Sequence, residues 1–441
     1  MMFRLVRILL FAALLGAPLA FGAVVPWARA ALLVSAFLLL FLWGVGCVQQ
    51  GALRVTWSPL YLPAGAFLIV GLAQYFFHRT HDPIGTRDVL FLLTTTLLFF
   101  FLVIQLMAMG SRWTWRRFGL VVTIYAFALA LFSLLQFFSS HGLIYWVVKS
   151  PGMAFGPYVN RNHYAGLVEM LIPLAAGYVL SRPPNHPGRT VLSFAVFVPI
   201  LSLLICGSRG GLTVLLFEVL IFGAVLRAWA SGSTRRSLAI AGVLGFTLPV
   251  LLFFLIDPGQ FSQRLVAFAN LTSSPEVTLG DRRVVTHDSL AMVRDHPILG
   301  VGLGSFRVMF PRYQSFPDTK LWDHAHNDYA ELLSETGLVG GLLLLGALLL
   351  FFRLAFSHLK EKLKTETGRI QLGAALGACG LLVHSFFDFN LHIGANAIWF
   401  AVCAALATSP MRNEREPGTS YPGQTDEGSR LFSPNRWERG R

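Results

Sequence analysis

Residues 324–328, His-Ala-His-Asn-Asp, carry side chains that can move protons, and they stand at the border of a polar and an apolar stretch. Imidazole titrates near neutral pH, so a histidine here could take a proton from a hydroxyl nucleophile. Residues 337–352 are all apolar, which places this border where water meets lipid. Ionisable residues there are costly unless they are solvated, paired or used. We therefore predict a membrane-embedded enzyme that works at one face of the bilayer.

Three further groups of polar side chains could take part in the same chemistry. They are Asn160-Arg161-Asn162-His163, the Ser208-Arg209-Gly210 segment with the loop pair Arg282-Arg283, and His384, Asp388, Asn390 and His392. Arginine suits phosphate because its planar guanidinium donates two parallel hydrogen bonds and stays charged. Arg209, flanked by glycines, is therefore predicted to bind an anion, the alternative being an interfacial arginine that lies along apolar surface.

The composition predicts an all-α polytopic membrane protein, since 55% of the 441 residues are hydrophobic and only 13% are charged. The sequence contains about twelve apolar runs that are long enough to cross a bilayer. We place them near 5–26, 28–48, 58–78, 88–109, 117–138, 163–181, 190–206, 210–228, 237–256, 336–357, 369–388 and 392–409. Residues 1–409 then form one transmembrane domain, with a large loop, 257–326, before the tenth span.

Lys and Arg in the short connections predict the orientation. With the N-terminus inside, the inner connections hold sixteen of these residues and the short outer loops hold six. Both termini are then cytoplasmic, loop 257–326 lies outside, and residues 410–441 form a disordered cytoplasmic tail. The net charge of +13 is mostly a topology signal, and no basic soluble face indicates nucleic-acid binding.

The polar residues also lie mostly on one side of the predicted membrane. With this topology, ten of the twelve histidines and ten of the eleven aspartates fall outside or at outer span ends, which places the chemistry on the outer face. Spans six, eight, ten and twelve point their positive N-terminal ends toward that face. Asp328 and Glu331 fit a capping box that starts a helix at about residue 329 and fixes His326 just before it. Glu169 and Glu218 lie inside spans, and the sequence names no partner for either.

A metal site is a weaker interpretation of the dense histidines and aspartates. His324, His326, Asp323 and Asp328 are close in sequence, but a His-x-His pattern alone is a weak signal and no cysteine supports it. Nearby arginines would oppose a cation. We predict no required metal and no cofactor. The group from His384 to His392 could equally be a hydrogen-bonded cap that joins two spans.

In this order, the clusters resemble the O-antigen ligase and polymerase family of bacterial membrane glycosyltransferases. His326-Asn327, followed after nine residues by Gly337 and then by Gly340, fits the family's ligase signature. Ser208-Arg209-Gly210 is similar to its span-start arginine motif. The loop arginine that precedes residues 294–304 is best matched by Arg282. Relatives often carry Trp four residues after this arginine, where this chain has Thr286, so Arg283 stays an alternative.

The resemblance implies transfer of a glycan from undecaprenyl diphosphate to an acceptor hydroxyl on a lipid or glycan, at the periplasmic face of the bacterial inner membrane, without a metal. It implies His326 as the base and Arg209 and Arg282 as the diphosphate ligands. It leaves the remaining residues as substrate-binding candidates: Asn160, Arg161, Asn162, His163, Arg283, His324, Asn327, His384, Asp388 and His392.

Three functions stay open at this point. The ligase signature favours an O-antigen ligase that joins a polymer to an acceptor. The 160–163 and 384–392 segments resemble more closely the polymerases that extend O-antigen or exopolysaccharide chains. A lipid-linked-sugar flippase or other transporter would also suit twelve spans. Transporters usually show related halves with binding groups near the bilayer midplane, whereas these polar residues gather at one face.

Overall fold

The chain folds as an all-α polytopic membrane protein. The computed structural model describes residues 2–150, 152–183, 185–229, 279–317 and 321–410. The helices are α1 (Met2–Leu19), α2 (Pro26–Gln49), α3 (Tyr61–Phe76), α4 (Pro83–Ala108), α5 (Arg112–Ser139), α6 (Arg161–Ser181), α7 (Arg189–Cys206), α8 (Arg209–Trp229), α9 (Leu279–Asp295), α10 (Phe306–Met309), α11 (Asp328–Phe356), α12 (Leu359–Lys364), α13 (Glu366–His384) and α14 (Gly394–Thr408). A short antiparallel pair, β1 (Leu143–Ile144) and β2 (Val148–Lys149), precedes α6.

Apolar length confirms the predicted fold class. Seven of the described helices, α1, α2, α4 to α7 and α11, are long and apolar enough to cross a membrane, and α3 and α14 are apolar but shorter. Eleven of the twelve predicted spans coincide with a helix. The ninth, 237–256, and the predicted tail lie outside the described residues, so the count of twelve stays a prediction.

The starts of α4 and α5 lie five residues before the predicted ones, and two other predicted boundaries were wrong by more. The first span ends at Leu19 rather than at 26, because Gly22 turns the chain at a φ of 69° and Pro26 begins α2. The tenth begins at Asp328 rather than at 336. Gly337, with φ 61° and ψ −157°, breaks α11 into a lead-in helix and a longer apolar helix.

Helices α6 and α13 form the buried centre of the bundle. A side chain at Gly373 would begin 2.3 Å from the Pro173 carbonyl oxygen, and one at Gly177 would begin 2.5 Å from that of Arg369. Glycines thus let the two backbones approach closely, as small residues do between membrane helices. Consequently Glu169 on α6 faces His384 at the end of α13.

The described part of the predicted loop packs as a small structure of its own. Its core contains Val285, Met292, Val301, Phe306, Met309, Phe310, Trp322 and Ala325. Gln74 on α3 anchors it, because its side-chain amide donates to the carbonyls of Leu299 (2.7 Å) and Glu335 (2.9 Å). The loop therefore rests on α3 and on the lead-in helix of α11, beside the bundle end where α6, α8 and α11 begin. We call this end the site end.

Candidate functional site

Asp388, in the turn after α13, is the point on which the candidate residues converge. Its carboxylate is fully buried. The Asn162 amide donates to Oδ2 over 2.8 Å, and Nδ1 of His326 lies 3.2 Å from Oδ1. Arg282 Nη1 and His163 Nε2 each lie 3.8 Å from a carboxylate oxygen. The fold thus brings four predicted residues from distant segments onto a fifth.

Asp388 is ionised at neutral pH. Burial alone would raise the pKa of its carboxyl, but His163, His326 and Arg282 outweigh the burial and hold the pKa well below its usual range. An ionised carboxylate can only accept hydrogen bonds. The proton between Asp388 and His326 therefore sits on Nδ1 of the imidazole, which leaves Nε2 with a free lone pair.

His326 is held by its backbone and by its neighbours. It adopts a left-handed conformation with φ 50°, directly before Asn327, whose side chain caps α11 by accepting from two backbone N–H groups. Its ring packs edge-on against Trp322 and Phe389, with centroids 5.9 and 4.9 Å away. The side chain is 16% exposed, so it can reach a substrate although its partner Asp388 cannot.

The two loop arginines on α9 differ in their surroundings. Arg282 is partly buried and donates to the Phe387 carbonyl oxygen, and its buried Nε has no hydrogen-bond partner among the described residues. Arg283 is exposed. This difference favours Arg282 as the loop arginine of the site.

The residues at the start of α6 divide between capping and the Asp388 group. Asn160 is the N-cap, and its side chain accepts from the Asn162 backbone N–H over 2.8 Å. His163 is buried with its ring against Phe389 at 4.8 Å. Arg161 is half-buried, and its carbonyl accepts from a cysteine thiol on α7. Asn162 and His163 thus belong to the Asp388 group, whereas Asn160 shapes the helix start.

Arg209 begins α8, next to His384. A side chain at Gly210 would start 2.5 Å from Nε2 of His384, so the first turn of α8 lies against this imidazole. The other ring nitrogen, Nδ1, lies 3.0 Å from both carboxylate oxygens of Glu169. Arg209 is half-exposed, and within the described residues its guanidinium forms no hydrogen bond or ion pair. It is available to an anion at the N-terminal end of a helix.

Four side chains form a second group, which we call the His324–His392 cluster: His324, Asp328, Glu331 and His392. Glu331 Oε1 lies 2.7 Å from His324 Nδ1 and 3.4 Å from His392 Nε2. Asp328 Oδ1 lies 3.1 Å from His392 Nδ1. Burial would lower the pKa of His392, but Glu331 and Asp328 outweigh it and raise the pKa to about 9.

The comparison with known families adds the next observation. Residues 194–345, about a third of the chain, match the family model described as O-antigen ligase. Over these residues the chain is similar to O-antigen ligases. The matched stretch contains Arg209, Arg282 and His326, and the resemblance noted in the sequence is confirmed. No curated protein matches the chain.

The capping box predicted at the start of α11 was wrong. Asn327, not Asp328, caps α11, and Glu331 reaches past the cap to accept from the Ala325 backbone N–H over 2.7 Å. Asp328 is instead bound by the Ser385 hydroxyl over 2.7 Å. A one-residue shift at the helix start therefore frees both carboxylates for contacts outside their own helix.

The sequence also missed the contacts of several residues at the candidate site. Glu169 was noted as an ionisable residue within a span, but its partner, His384, is 215 residues away. Phe389 had no distinguishing signal, yet the rings of His163, His324 and His326 all pack on it. Within the part of the chain that the structure describes, both carboxylate oxygens of Glu218 are buried and form no hydrogen bond.

Proposed function

We propose that the protein transfers a glycan from undecaprenyl diphosphate to the hydroxyl group of a lipid or glycan acceptor. The observation that carries this proposal is the His326–Asp388 pair, 3.2 Å apart, with Arg282 against the same carboxylate. A base, its orienting group and a phosphate-binding cation are thereby joined in one place. The similarity of residues 194–345 to O-antigen ligases supports a ligase or polymerase reaction in general.

His326 acts as the general base. Asp388 holds the proton on Nδ1, so Nε2 takes the proton of the acceptor hydroxyl as its oxygen attacks the anomeric carbon of the donor sugar. The bond from that carbon to the diphosphate oxygen breaks, and the lipid diphosphate leaves with the electron pair. The proton on His326 then passes to water, which restores the base. Proton transfer to a positioned general base typically accelerates a reaction on the order of 10²–10⁴-fold.

Arginines stabilise the leaving diphosphate. Among the residues that the structure describes, the buried Nε of Arg282 has no hydrogen-bond partner, as expected of a group that awaits a ligand. The charge of Arg282 is partly offset by Asp388, however. A second cation is therefore required, and Arg209 supplies it from the positive end of α8. With both arginines on the leaving group, the transfer step itself uses no metal and no cofactor.

The remaining candidates either bind substrate or shape the site. Arg161 and the exposed Arg283 border the same group and would contact the donor's sugar or phosphate groups, while Asn162 and His163 tie Asp388 to α6. Asn160 and Asn327, as helix caps, shape the walls of the site.

The membrane arrangement follows from the charge pattern. The Lys and Arg distribution supports cytoplasmic termini and an outward-facing site end, and the similarity to O-antigen ligases supports a bacterial inner membrane with this face in the periplasm. Lipid diphosphate and a water-exposed acceptor would meet there. The same residues serve a polymerase that extends an O-antigen or exopolysaccharide chain, because only the acceptor differs between the two reactions.

The decisive experiment replaces His326 by Ala. We expect transfer from purified lipid-linked donor in detergent to fall on the order of 10²–10⁴-fold while donor binding persists, because both arginines remain. His287→Ala, an exposed histidine on α9, is the matched control and should retain activity. Wild-type activity in the His326 variant would exclude this base. A requirement for sealed vesicles would indicate a flippase.

A further inference from the structure

We propose that the His324–His392 cluster binds one divalent transition-metal ion of the zinc type, with His324, His392 and Glu331 as its ligands. This inference does not depend on the proposed transferase activity. It rests on three observations: the separation of the donor atoms, the carboxylate behind His392, and the charge buried on the lead-in helix of α11.

The donor atoms lie close enough to share one ion. His324, Glu331 and His392 offer ligand atoms that all lie within 4.8 Å of one another. Ligands of a tetrahedral zinc ion, each about 2.1 Å from the metal, stand about 3.4 Å apart. Glu331 Oε1 is 3.4 Å from His392 Nε2, which already fits, and 2.7 Å from His324 Nδ1, which would have to lengthen slightly.

His392 has the supporting carboxylate that metal-bound histidines usually have. Asp328 Oδ1 lies 3.1 Å from Nδ1, so the opposite nitrogen, Nε2, points toward Glu331. Asp328 is itself fixed, because its Oδ2 accepts from the Ser385 hydroxyl and the Leu391 backbone N–H. A carboxylate that orients a histidine in this way sets its tautomer and strengthens it as a ligand.

Buried carboxylates surround the proposed ligands, and a divalent ion held by neutral imidazoles would supply the positive charge that protonated histidines supply without it. Asp328, Glu331 and Glu335 lie on one face of the lead-in helix, and each is at least nine-tenths buried. The arginine of the neighbouring Asp388 group does not contact them, since Arg282 is directed to Phe387 and Asp388. Buried carboxylates are stable only when paired or coordinated. Two imidazole nitrogens with a carboxylate oxygen favour zinc over magnesium or calcium, which prefer oxygen ligands alone.

The ion would be structural with respect to transfer. It would join three chain segments: the end of the loop at His324, the lead-in helix at Glu331, and the turn before α14 at His392. His326 follows His324 by two residues, and both rings pack on Phe389. The metal would thus hold the segment that carries His326, without touching a reacting atom.

The test measures metal in the full-length protein in detergent. After chelation and dialysis against zinc, wild-type protein should retain about one ion per chain, whereas His324→Ala and His392→Ala should retain almost none. Zinc should also raise the Tm of the wild type and not of these variants. His296→Ala is the matched control. His296 and His81 form a histidine pair, with ring centroids 5.6 Å apart, that is not part of the proposed ligand set, so metal content should not change.

Cobalt provides a readout that does not depend on how well the variants fold. Co²⁺ bound to wild-type protein should give the visible absorption bands of a four- or five-coordinate site, and zinc should displace them. If wild-type protein retains no zinc and shows no such bands, or if His392→Ala retains its zinc, the proposal is wrong. The cluster would then be a hydrogen-bonded network of protonated histidines and carboxylates.

Discussion

Replacing Asp388 by Asn tests the central contact of the site with little change in shape. In the native site both carboxylate oxygens accept, from Asn162 on one side and from His326 on the other. An amide offers one oxygen and one NH2 group. Whichever way it turns, one of these two partners loses its acceptor and faces a donor instead. The substitution also removes the charge that stabilises a protonated His326.

The expected loss follows from the strength of that contact. A hydrogen bond to a charged group contributes about 1.5–3 kcal/mol. At about 1.4 kcal/mol per factor of ten, its loss in the transition state lowers kcat roughly 10- to 150-fold. Loss of the fixed Nδ1 tautomer adds to this, so we expect a decrease on the order of 10²–10³-fold. KM for the donor should change less, because Arg209 does not contact Asp388 and Arg282 also donates to the Phe387 carbonyl.

The assay is glycan transfer from purified lipid-linked donor in detergent, with kcat and KM determined separately and Tm measured alongside. Asp82→Asn is the matched control, because Asp82 caps α4 through the Gly85 N–H and asparagine caps equally well. If Asp388→Asn folds normally and keeps a wild-type kcat, Asp388 does not orient the base. If only KM rises, Asp388 acts in donor binding.

Three further outcomes are expected. Arg209→Lys should be nearly as damaging to transfer as Arg209→Ala, because a point charge cannot replace a bidentate fork; full activity in the Lys variant would make Arg209 an interfacial anchor. Gly337→Ala should destabilise the protein by about 1–3 kcal/mol and lower its Tm, because the backbone there has φ 61° and an added Cβ would lie 2.5 Å from the loop backbone. Gly346→Ala is the control and should be neutral, because the space around Gly346 is open. An impermeant thiol reagent applied to intact spheroplasts should label Asp323→Cys but not Lys364→Cys, and both positions are exposed. The four native cysteines are buried, so background labelling should be low. The reverse pattern would mean that the predicted topology is inverted.

The sequence predicted the helices well because a bilayer leaves few choices. A backbone that crosses lipid must satisfy its own hydrogen bonds, so a long apolar run has to be a helix. That constraint located α2, α5 and α7 to within a few residues at most ends. Where the constraint ends, at the turn before α2 and at the start of α11, local glycine and capping geometry decided the boundary and the prediction failed.

The sequence selected candidate residues for the site, but it did not predict which of them contact one another. Histidines and arginines at the site end could be selected by the chemistry of their side chains and by the side of the membrane on which they were predicted to lie. Their pairing depends on which helices touch, and Asn162 reaches Asp388 across 226 residues of sequence. Hydrophobic periodicity carries no information on such pairs. For the same reason the sequence presented Glu169 without its histidine and assigned Asp388 to substrate rather than to His326.

The convergence on Asp388 has a consequence for the order in which the protein is made. Asn162, Arg282 and His326 are all synthesised before the carboxylate that gathers them, and α14 follows it. A chain that has been made only as far as α13 therefore has the base without its orienting group and the arginine without its anchor. We therefore expect a chain truncated before Asp388 to lose most of its transfer activity, because the candidate site is completed only when the turn after α13 has been made.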